Sequence, residues 1–444
     1  MTITLTDTQT PIAFDQVTTI LKDAGIPSLA QASIRELVAL VNRIETATDQ
    51  SFIRMEMGVP GLPAPSIGID AEIAALKSGV ASKYPMLEGI PSLKNEISRF
   101  CSLFMNVNVS PTGCFPTVGS AQGALASFLV GNRTKENGAT LFIDPGFPNQ
   151  KRQLDMIGQP WGSFDVYRHR GAALRPELEK HLSSGKYATL LYSNPNNPAW
   201  ICFNEEELQI IADVAGRYNV IVIEDLAYFG MDYREDYTLP GQAPYQPSIA
   251  HYTDQYILLI SSSKVFSYAG QRVASLVISD ALVQQGFPTL KASFGQTQFG
   301  KAFTFGAMGG LSAGVTHSTQ YGLAAMLKAA NDGELPFLDL TKVYGKRAAI
   351  MKALFVEHGF DIVYAEDNGK ALSDGFYFTF SYPGMDGDTL LEALLYHGIS
   401  AISLTNTGSE RREGARACVS QVRDEQLADL ATRLAAFQHR FSQA

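Results

Sequence analysis

The chain has 444 residues, 45% of them hydrophobic and 18% charged, with a formal net charge of −9. That is a globular composition, long enough for two domains and a large core, and an acidic chain with no basic tract argues against nucleic acid and anionic membrane as partners. The four cysteines (Cys101, Cys114, Cys202, Cys418) are widely spaced and form no C-x-x-C, so reduced thiols are expected rather than a disulfide framework or a zinc site.

The start, Met1 to Asp7, lacks a basic segment followed by a long apolar run, and no later stretch is apolar enough to span a bilayer. No signal peptide or membrane span is expected, and the cytoplasm is the expected location. Ile34, Leu37, Val38, Leu40, Val41 and Ile44 recur at helical spacing. The next stretch, Met57-Gly58-Val59-Pro60-Gly61-Leu62-Pro63-Ala64-Pro65, is too rich in proline and glycine for a helix or a central strand. It reads as a linker or a ligand-facing loop. Tyr84 opens a loop that leads into a helix, with Pro91 in the first turn and Leu93, Ile97 and Phe100 on one face. Thr117-Val118-Gly119-Ser120-Ala121-Gln122 reads as a strand end, a tight turn and a helix start. Backbone N–H groups at such a helix start favour a phosphate, although most such turns bind nothing.

From here strands and helices alternate. Apolar runs at 139–143, 188–192 and 220–223 end in Asp144-Pro145-Gly146-Phe147, Ser193-Asn194-Pro195-Asn196-Asn197-Pro198 and Glu224-Asp225-Leu226-Ala227-Tyr228. Asn204 and Glu207 have capping-box spacing at the head of a helix that runs to about Tyr218. Continuous apolar strands joined by helices imply an α/β fold with a mainly parallel sheet. Ligands bind such sheets at the carboxyl ends of the strands, and each candidate residue follows a predicted strand. The segment 286–320 shows no clear period and reads as irregular. A composition shift near 330 marks a boundary, followed by a compact α+β domain. Its expected elements are helices at 338–358, 386–397 and 423–440 and strands at 376–380, 399–402 and 416–419. The expected divisions are 1–60 (arm and part of a small domain), 61–330 (large domain) and 331–444 (small domain).

The chemistry centres on Ser261-Ser262-Ser263-Lys264, with Arg272 eight residues on, in a loop between apolar runs at 256–260 and 273–278. A lysine held there can form a Schiff base with an aldehyde. Ser261, Ser263 and Arg272 can hold a phosphate. An aldehyde and a phosphate on one ligand point to pyridoxal phosphate (PLP). The plainer reading is a solvated lysine and a surface arginine in a serine-rich turn. Asp225 is the best carboxylate for the pyridine nitrogen, because it follows a buried strand; an Asp capping the next element is the alternative. Tyr228 can hydrogen-bond the phenolic oxygen or be a buried structural tyrosine. Asn197 can share that oxygen or simply form the turn beside Pro198.

The motifs 193–198, Asp225 to Tyr228 and Ser261 to Arg272, in this order and spacing, resemble class I/II aminotransferases of PLP fold type I. Tyr84, the Gly119-Ser120 turn, Phe147 and Arg416 extend the likeness over roughly residues 50–440. The resemblance implies a large domain with a mainly parallel, seven-stranded-type sheet flanked by helices, plus a smaller α+β domain built from both chain ends. It implies Lys264 as Schiff-base lysine and proton carrier, Asp225 at the pyridine nitrogen, Tyr228 and Asn197 at the phenolic oxygen, and Phe147 stacked on the ring. Gly119, Ser120, Ala121 and Gln122 with Ser261, Ser263 and Arg272 match the phosphate cup. Tyr84 resembles a residue reaching the partner subunit's phosphate, which implies a homodimer with shared active sites. Gly58 lies in a substrate-approaching loop, and Arg416 resembles the arginine that grips the substrate α-carboxylate; Arg411 and Arg412 are local competitors. The implied substrates are an amino acid and a 2-oxo acid, and no metal is expected. A lyase or amino-acid decarboxylase on the same scaffold is the rival. Two departures stand out: Ala199-Trp200 replaces the more frequent Thr-Gly, and Val273-Ala274 follows Arg272.

Overall fold

The computed structural model describes residues 10–441. The chain divides into two compact units, one of Leu62–Asn196 with Cys202–Thr341, the other of the residues up to Gly61, Asn197–Ile201 and the residues from Lys342 on.

The larger unit carries a seven-stranded sheet. Its strands are β1 (Cys114–Thr117), β2 (Ala139–Asp144), β3 (Trp161–Asp165), β4 (Tyr187–Ser193), β5 (Ile221–Leu226), β6 (Tyr256–Ser261) and β7 (Ala274–Ile278), in the order β1-β7-β6-β5-β4-β2-β3. Only β7 runs against its neighbours; the other pairs are parallel. Every residue of β2, β4, β5, β6 and β7 is buried. This is why their sequences are continuous apolar runs rather than alternating ones. Polar groups inside pair across the sheet: Thr189 donates to Asn132 Oδ1 at 2.8 Å and Thr140 meets Thr189 at 2.8 Å. The register sets Ser193 opposite Asp225 and Asp225 opposite Leu259. The carboxyl ends of β4, β5 and β6 are therefore level, and their last residues open onto one edge of the sheet.

Helices follow the strands. Helix Glu205–Arg217 starts with the expected capping box between Asn204 and Glu207, and such a cap is worth about 1 kcal/mol. The segment 286–320 is more ordered than its sequence suggests. It holds helical turns Leu290–Phe294 and Phe299–Lys301, a π-helical stretch Ala302–Met308 and a helical turn Gly309–Ser312, and from His317 the helix His317–Asn331. The period is hidden because glycines alternate with buried aromatics: Phe299 and Phe303 are fully buried, and a Cβ on Gly306 would meet the Phe294 ring at 2.3 Å. No amphipathic stripe results.

The smaller unit has an antiparallel sheet of β8 (Asp361–Ile362), β9 (Tyr377–Ser381), β10 (Ile402–Ser403) and β11 (Ala415–Cys418), in the order β10-β11-β9-β8. Helices Phe14–Ala24, Ile34–Thr48, Gly387–Tyr396 and Leu427–Phe441 belong to the same unit. Ile53 and Arg54 pair in parallel with Ile399 and Ser400, so both chain ends build one unit. An aromatic cluster of Phe355, Phe360, Phe380, Tyr382 and Phe437 fills its core, with ring centroids 4.5–5.8 Å apart. The strand expected over 399–402 is broken in two at Ala401, and the last helix starts at Leu427 after a short 3-10 turn.

Candidate active site

In the larger unit, β6 delivers Lys264. Ser261 ends the strand and its Oγ accepts from Ser263 N–H at 3.2 Å. That cap starts a four-residue helical turn, Ser262–Val265, so Lys264 sits on a turn of helix rather than in the open loop expected. Ser262 Oγ donates to the Val273 carbonyl, which ties the turn to the start of β7. Lys264 is half-buried.

Arg272 adopts a left-handed backbone (φ 50°) and donates from Nη1 to the Ala269 carbonyl at 2.9 Å. Its guanidinium lies against Gly119, where a Cβ would fall 2.2 Å from Nη2. Gly119 itself has φ 65°. Glycine is required there twice over, for the backbone angle and for the approach of the arginine. Gly119 opens helix Gly119–Gly131, whose start carries no side-chain cap. The Gln122 side chain turns back, accepting from Val118 N–H at 2.7 Å and donating to Ser312 Oγ at 2.8 Å. What Ser120, Ala121 and Gln122 offer a ligand in common is therefore backbone N–H. A helix start plus a guanidinium and two serine hydroxyls is the donor set that holds a phosphate.

Asp225 stands at the end of β5 and is 6% exposed. Its Oδ2 accepts from Gln150 Nε2 at 2.8 Å and its Oδ1 from Ala227 N–H at 3.1 Å. Burial pushes its carboxyl up to about 6, and the two hydrogen bonds hold it back from a larger rise. The capping alternative for Asp225 describes one of its oxygens, since Oδ1 caps the following turn. The neighbouring Glu224 points to the opposite face, as strand alternation requires. It takes Ser248 Oγ at 2.6 Å, Ile249 N–H at 3.1 Å and Tyr192 Oη at 3.1 Å, and burial pushes it up to about 7. Phe147, 37% exposed, caps the helix Pro148–Met156 that carries Gln150. Asn196 donates to the Pro145 carbonyl at 2.8 Å and to Ser193 Oγ at 3.3 Å, joining the loops after β4 and β2. Tyr228 is buried, whereas Tyr84 is 94% exposed. Gln150 was not among the expected residues; its only signal is its place one helical turn beyond Phe147.

In the smaller unit, Arg416 lies in β11, opposite Thr379 of β9, and is 2% exposed. Its guanidinium therefore does not face solvent. Its Nη2 donates to the Glu56 carbonyl at 2.7 Å and its Nη1 to Asn197 Oδ1 at 3.2 Å. Its Nε has no partner among the described residues. Tyr377, the diagonal neighbour on β9, stacks on the guanidinium, with its ring centre 4.3 Å from Cζ. A Cβ on Gly58 would fall 2.0 Å from the Tyr377 hydroxyl. Of the two competitors, Arg411 is paired with Glu413 at 2.6 Å and Arg412 is exposed. Asn197, expected at a cofactor oxygen, is thus grouped with Arg416 in this unit. Tyr377 and the Glu56 carbonyl went unseen in the sequence, the first inside a generic aromatic strand and the second because a backbone oxygen has no side-chain signature.

PLP fits the residues of the larger unit on their chemistry: an amine at Lys264, a buried carboxylate at Asp225 and a phosphate cradle at Gly119 and Arg272 that a Cβ would fill. A profile of the family "Aminotransferase class I and II" matches residues 62–434. The chain belongs to that family. It is accordingly a PLP-dependent aminotransferase, with the fold that the family implies. Among curated relatives it is 24% identical to a "Probable aspartate aminotransferase" of Methanocaldococcus jannaschii, over 64% of this chain and 71% of the relative. It is 22% identical to an aspartate aminotransferase of Bacillus subtilis, over 54% of this chain and 59% of the relative. Among solved structures, an alanine aminotransferase from Pyrococcus furiosus superposes with a TM-score of 0.76 at 18% identity, covering 92% of this chain and 98% of that one. At that identity the likeness is one of fold. Among the described residues no helix is long and apolar enough to cross a membrane, and no cluster of metal ligands occurs.

Proposed function

We propose that the aminotransferase moves the amino group of an amino acid to a 2-oxo acid in two half-reactions that share one set of residues. The observation that carries this reading is the placement of Asp225 and the Lys264 turn at the carboxyl ends of adjacent parallel strands, with the Gly119–Arg272 cradle in the same unit. Bound PLP supplies an electron sink for the charge left when a substrate proton departs. Lys264 Nζ takes the proton from the substrate α-carbon and later returns one. Asp225 holds a proton at the ring nitrogen through a charge-assisted hydrogen bond, and Gln150 fixes which carboxylate oxygen faces away. Tyr228 and Asn197 serve the phenolic oxygen, and Phe147 covers a ring face. Ser120, Ala121 and Gln122 N–H groups with Ser261, Ser263 and Arg272 grip the phosphate. Arg416 takes the α-carboxylate, and Gly58 keeps its loop close to Tyr377.

The same lysine and aspartate would serve a lyase or decarboxylase; the relatives named above are aminotransferases, which favours transfer. A half-reaction decides it. With one amino acid and no acceptor, about one equivalent of 2-oxo acid per site should appear, a single turnover; release of carbon dioxide or ammonia instead would overturn the reading. Lys264→Ala should leave a folded protein without turnover and without the visible absorbance of a lysine-bound cofactor.

A homodimer is part of the proposal. Its support is the exposure of large apolar side chains in one stretch of the chain, Ile67, Ile69, Ile73 and Leu76 on the helix Ser66–Lys77 and then Tyr84 and Met86. Light scattering should give twice the chain mass. A cytoplasmic location agrees with four free thiols among the described residues, and cell fractionation tests it.

A further inference from the structure

Trp200 is the least expected side chain in the smaller unit. Its backbone is left-handed (φ 62°), where bulky residues are genuine outliers and glycine is favoured. Yet the residue is fully buried. Something must hold a large ring on so unfavourable a backbone. One answer lies at Gly375, where a Cβ would fall 2.1 Å from Cε2 and Cζ2 of the indole and 2.2 Å from Nε1. The chain is large at 200 and has nothing at 375, and the two positions fit only as a pair.

A second contact of the indole leads to Arg416. Trp200 meets Tyr377 edge-on, with ring centroids 6.0 Å apart and planes at 73°. Tyr377 covers one face of the Arg416 guanidinium at 4.3 Å. Asn197, three residues before Trp200, accepts from the same guanidinium at 3.2 Å. Trp200, Tyr377 and Arg416 are each 2% exposed or less, so none of the three can swing into solvent. Edge-on aromatic pairing fixes the tilt of the Tyr377 ring, and the ring fixes the plane of the guanidinium.

We propose that Trp200 is a positioning residue for substrate binding: it buttresses Tyr377 so that Arg416 meets a carboxylate in a pre-set plane. This rests on the reading of Arg416 as the carboxylate grip. A fork held in place loses less freedom when it binds than one that must be ordered first. A ring that only filled space would affect stability alone.

The test uses the full-length enzyme loaded with PLP. Trp200→Leu should raise KM for amino acid and 2-oxo acid together by about tenfold. Its kcat and its PLP affinity by spectral titration should change by less than about twofold. Trp200→Phe should restore most of the loss. Gly375→Ala crowds the indole itself and should give the same pattern, which keeps the proposal testable if the leucine variant does not fold. Titration calorimetry with propanoate, a bare carboxylate, should show the same weakening without turnover. Tyr377→Leu with Trp200→Leu should cost no more than Tyr377→Leu alone, because both act through one guanidinium. Variants that lower Tm while KM and propanoate affinity stay put, or costs that add, would overturn the proposal. Arg416→Lys belongs in the same series. If it is silent, the carboxylate reading fails; if it weakens binding while Trp200→Leu does not, only the buttress fails.

Discussion

Gln150 donates from Nε2 to Oδ2 of Asp225 at 2.8 Å, across the interval between the helix after β2 and the end of β5. Among the described residues it is the side chain that bonds that carboxylate, beside the Ala227 N–H. Its loss leaves a buried charge with a single backbone donor. Gln150→Leu should lower kcat/KM by about ten- to a hundredfold, the range for a lost hydrogen bond to a charged group. Asp225→Asn should fall further while staying folded, because a neutral amide cannot hold the ring proton. Steady-state kinetics beside a circular dichroism spectrum separates the two effects; activity of Asp225→Asn within about twofold of wild type would remove the aspartate from the mechanism.

The cofactor-free protein should show a stability slope to which the same carboxylate contributes, beside buried Glu224 and Asp144. Burial raises Asp225 from 3.8 to about 6 in the folded state. The folded chain then binds more protons than the unfolded one between these values, so this contribution is full below pH 4 and is lost as pH rises through 6. A shift of this size corresponds to about 3 kcal/mol. Denaturant unfolding of the apoprotein and of Asp225→Asn at pH 4 and pH 7 checks the sign. The variant should lose less stability over that interval.

Gly119→Ala tests the phosphate cradle. The new methyl would fall 2.2 Å from Arg272 Nη2 on a backbone of φ 65°. Either the guanidinium moves or the helix start does, and PLP affinity should fall by about tenfold or more. Equilibrium titration with PLP measures it directly. Gly270→Ala, at a glycine with open space around it, is the control and should bind normally.

Arg416→Lys should keep the bound-cofactor spectrum and raise KM for amino and 2-oxo acids by about ten- to a hundredfold, because an ammonium replaces a two-pronged donor. Arg411→Lys, whose partner is Glu413, should be nearly silent. Reversal of that order would move the carboxylate grip to Arg411.

Much of this was legible because parallel strands write themselves plainly. A strand covered on both faces must be apolar throughout, and the polar residue that ends it is then conspicuous; Asp225 and Ser261 stand out for that reason. Lys264, Arg272 and Gly119 were visible for the same cause, since each sits in the turn just beyond or just before a strand. The contacts across the sheet were not. Gln150 reaches Asp225 from a helix 75 residues earlier, and no local pattern marks a glutamine in a first turn as a partner. The π-helical stretch 302–308 was hidden because its spacing matches neither period used to read a sequence. Trp200 was visible as a departure, but its meaning depended on Gly375, which lies far along the chain.

The five residues Asn197–Ile201 belong with the smaller unit, although the chain on both sides of them, to Asn196 and from Cys202, belongs with the larger. A chimera made by one crossover near residue 342 would therefore carry a foreign partner for Trp200. If the incoming segment has any side chain at position 375, the indole has no room. Unless the relative also has glycine at 375, positions 200 and 375 must travel together, so the breakpoints that matter are three, not one: before 197, after 201 and near 342.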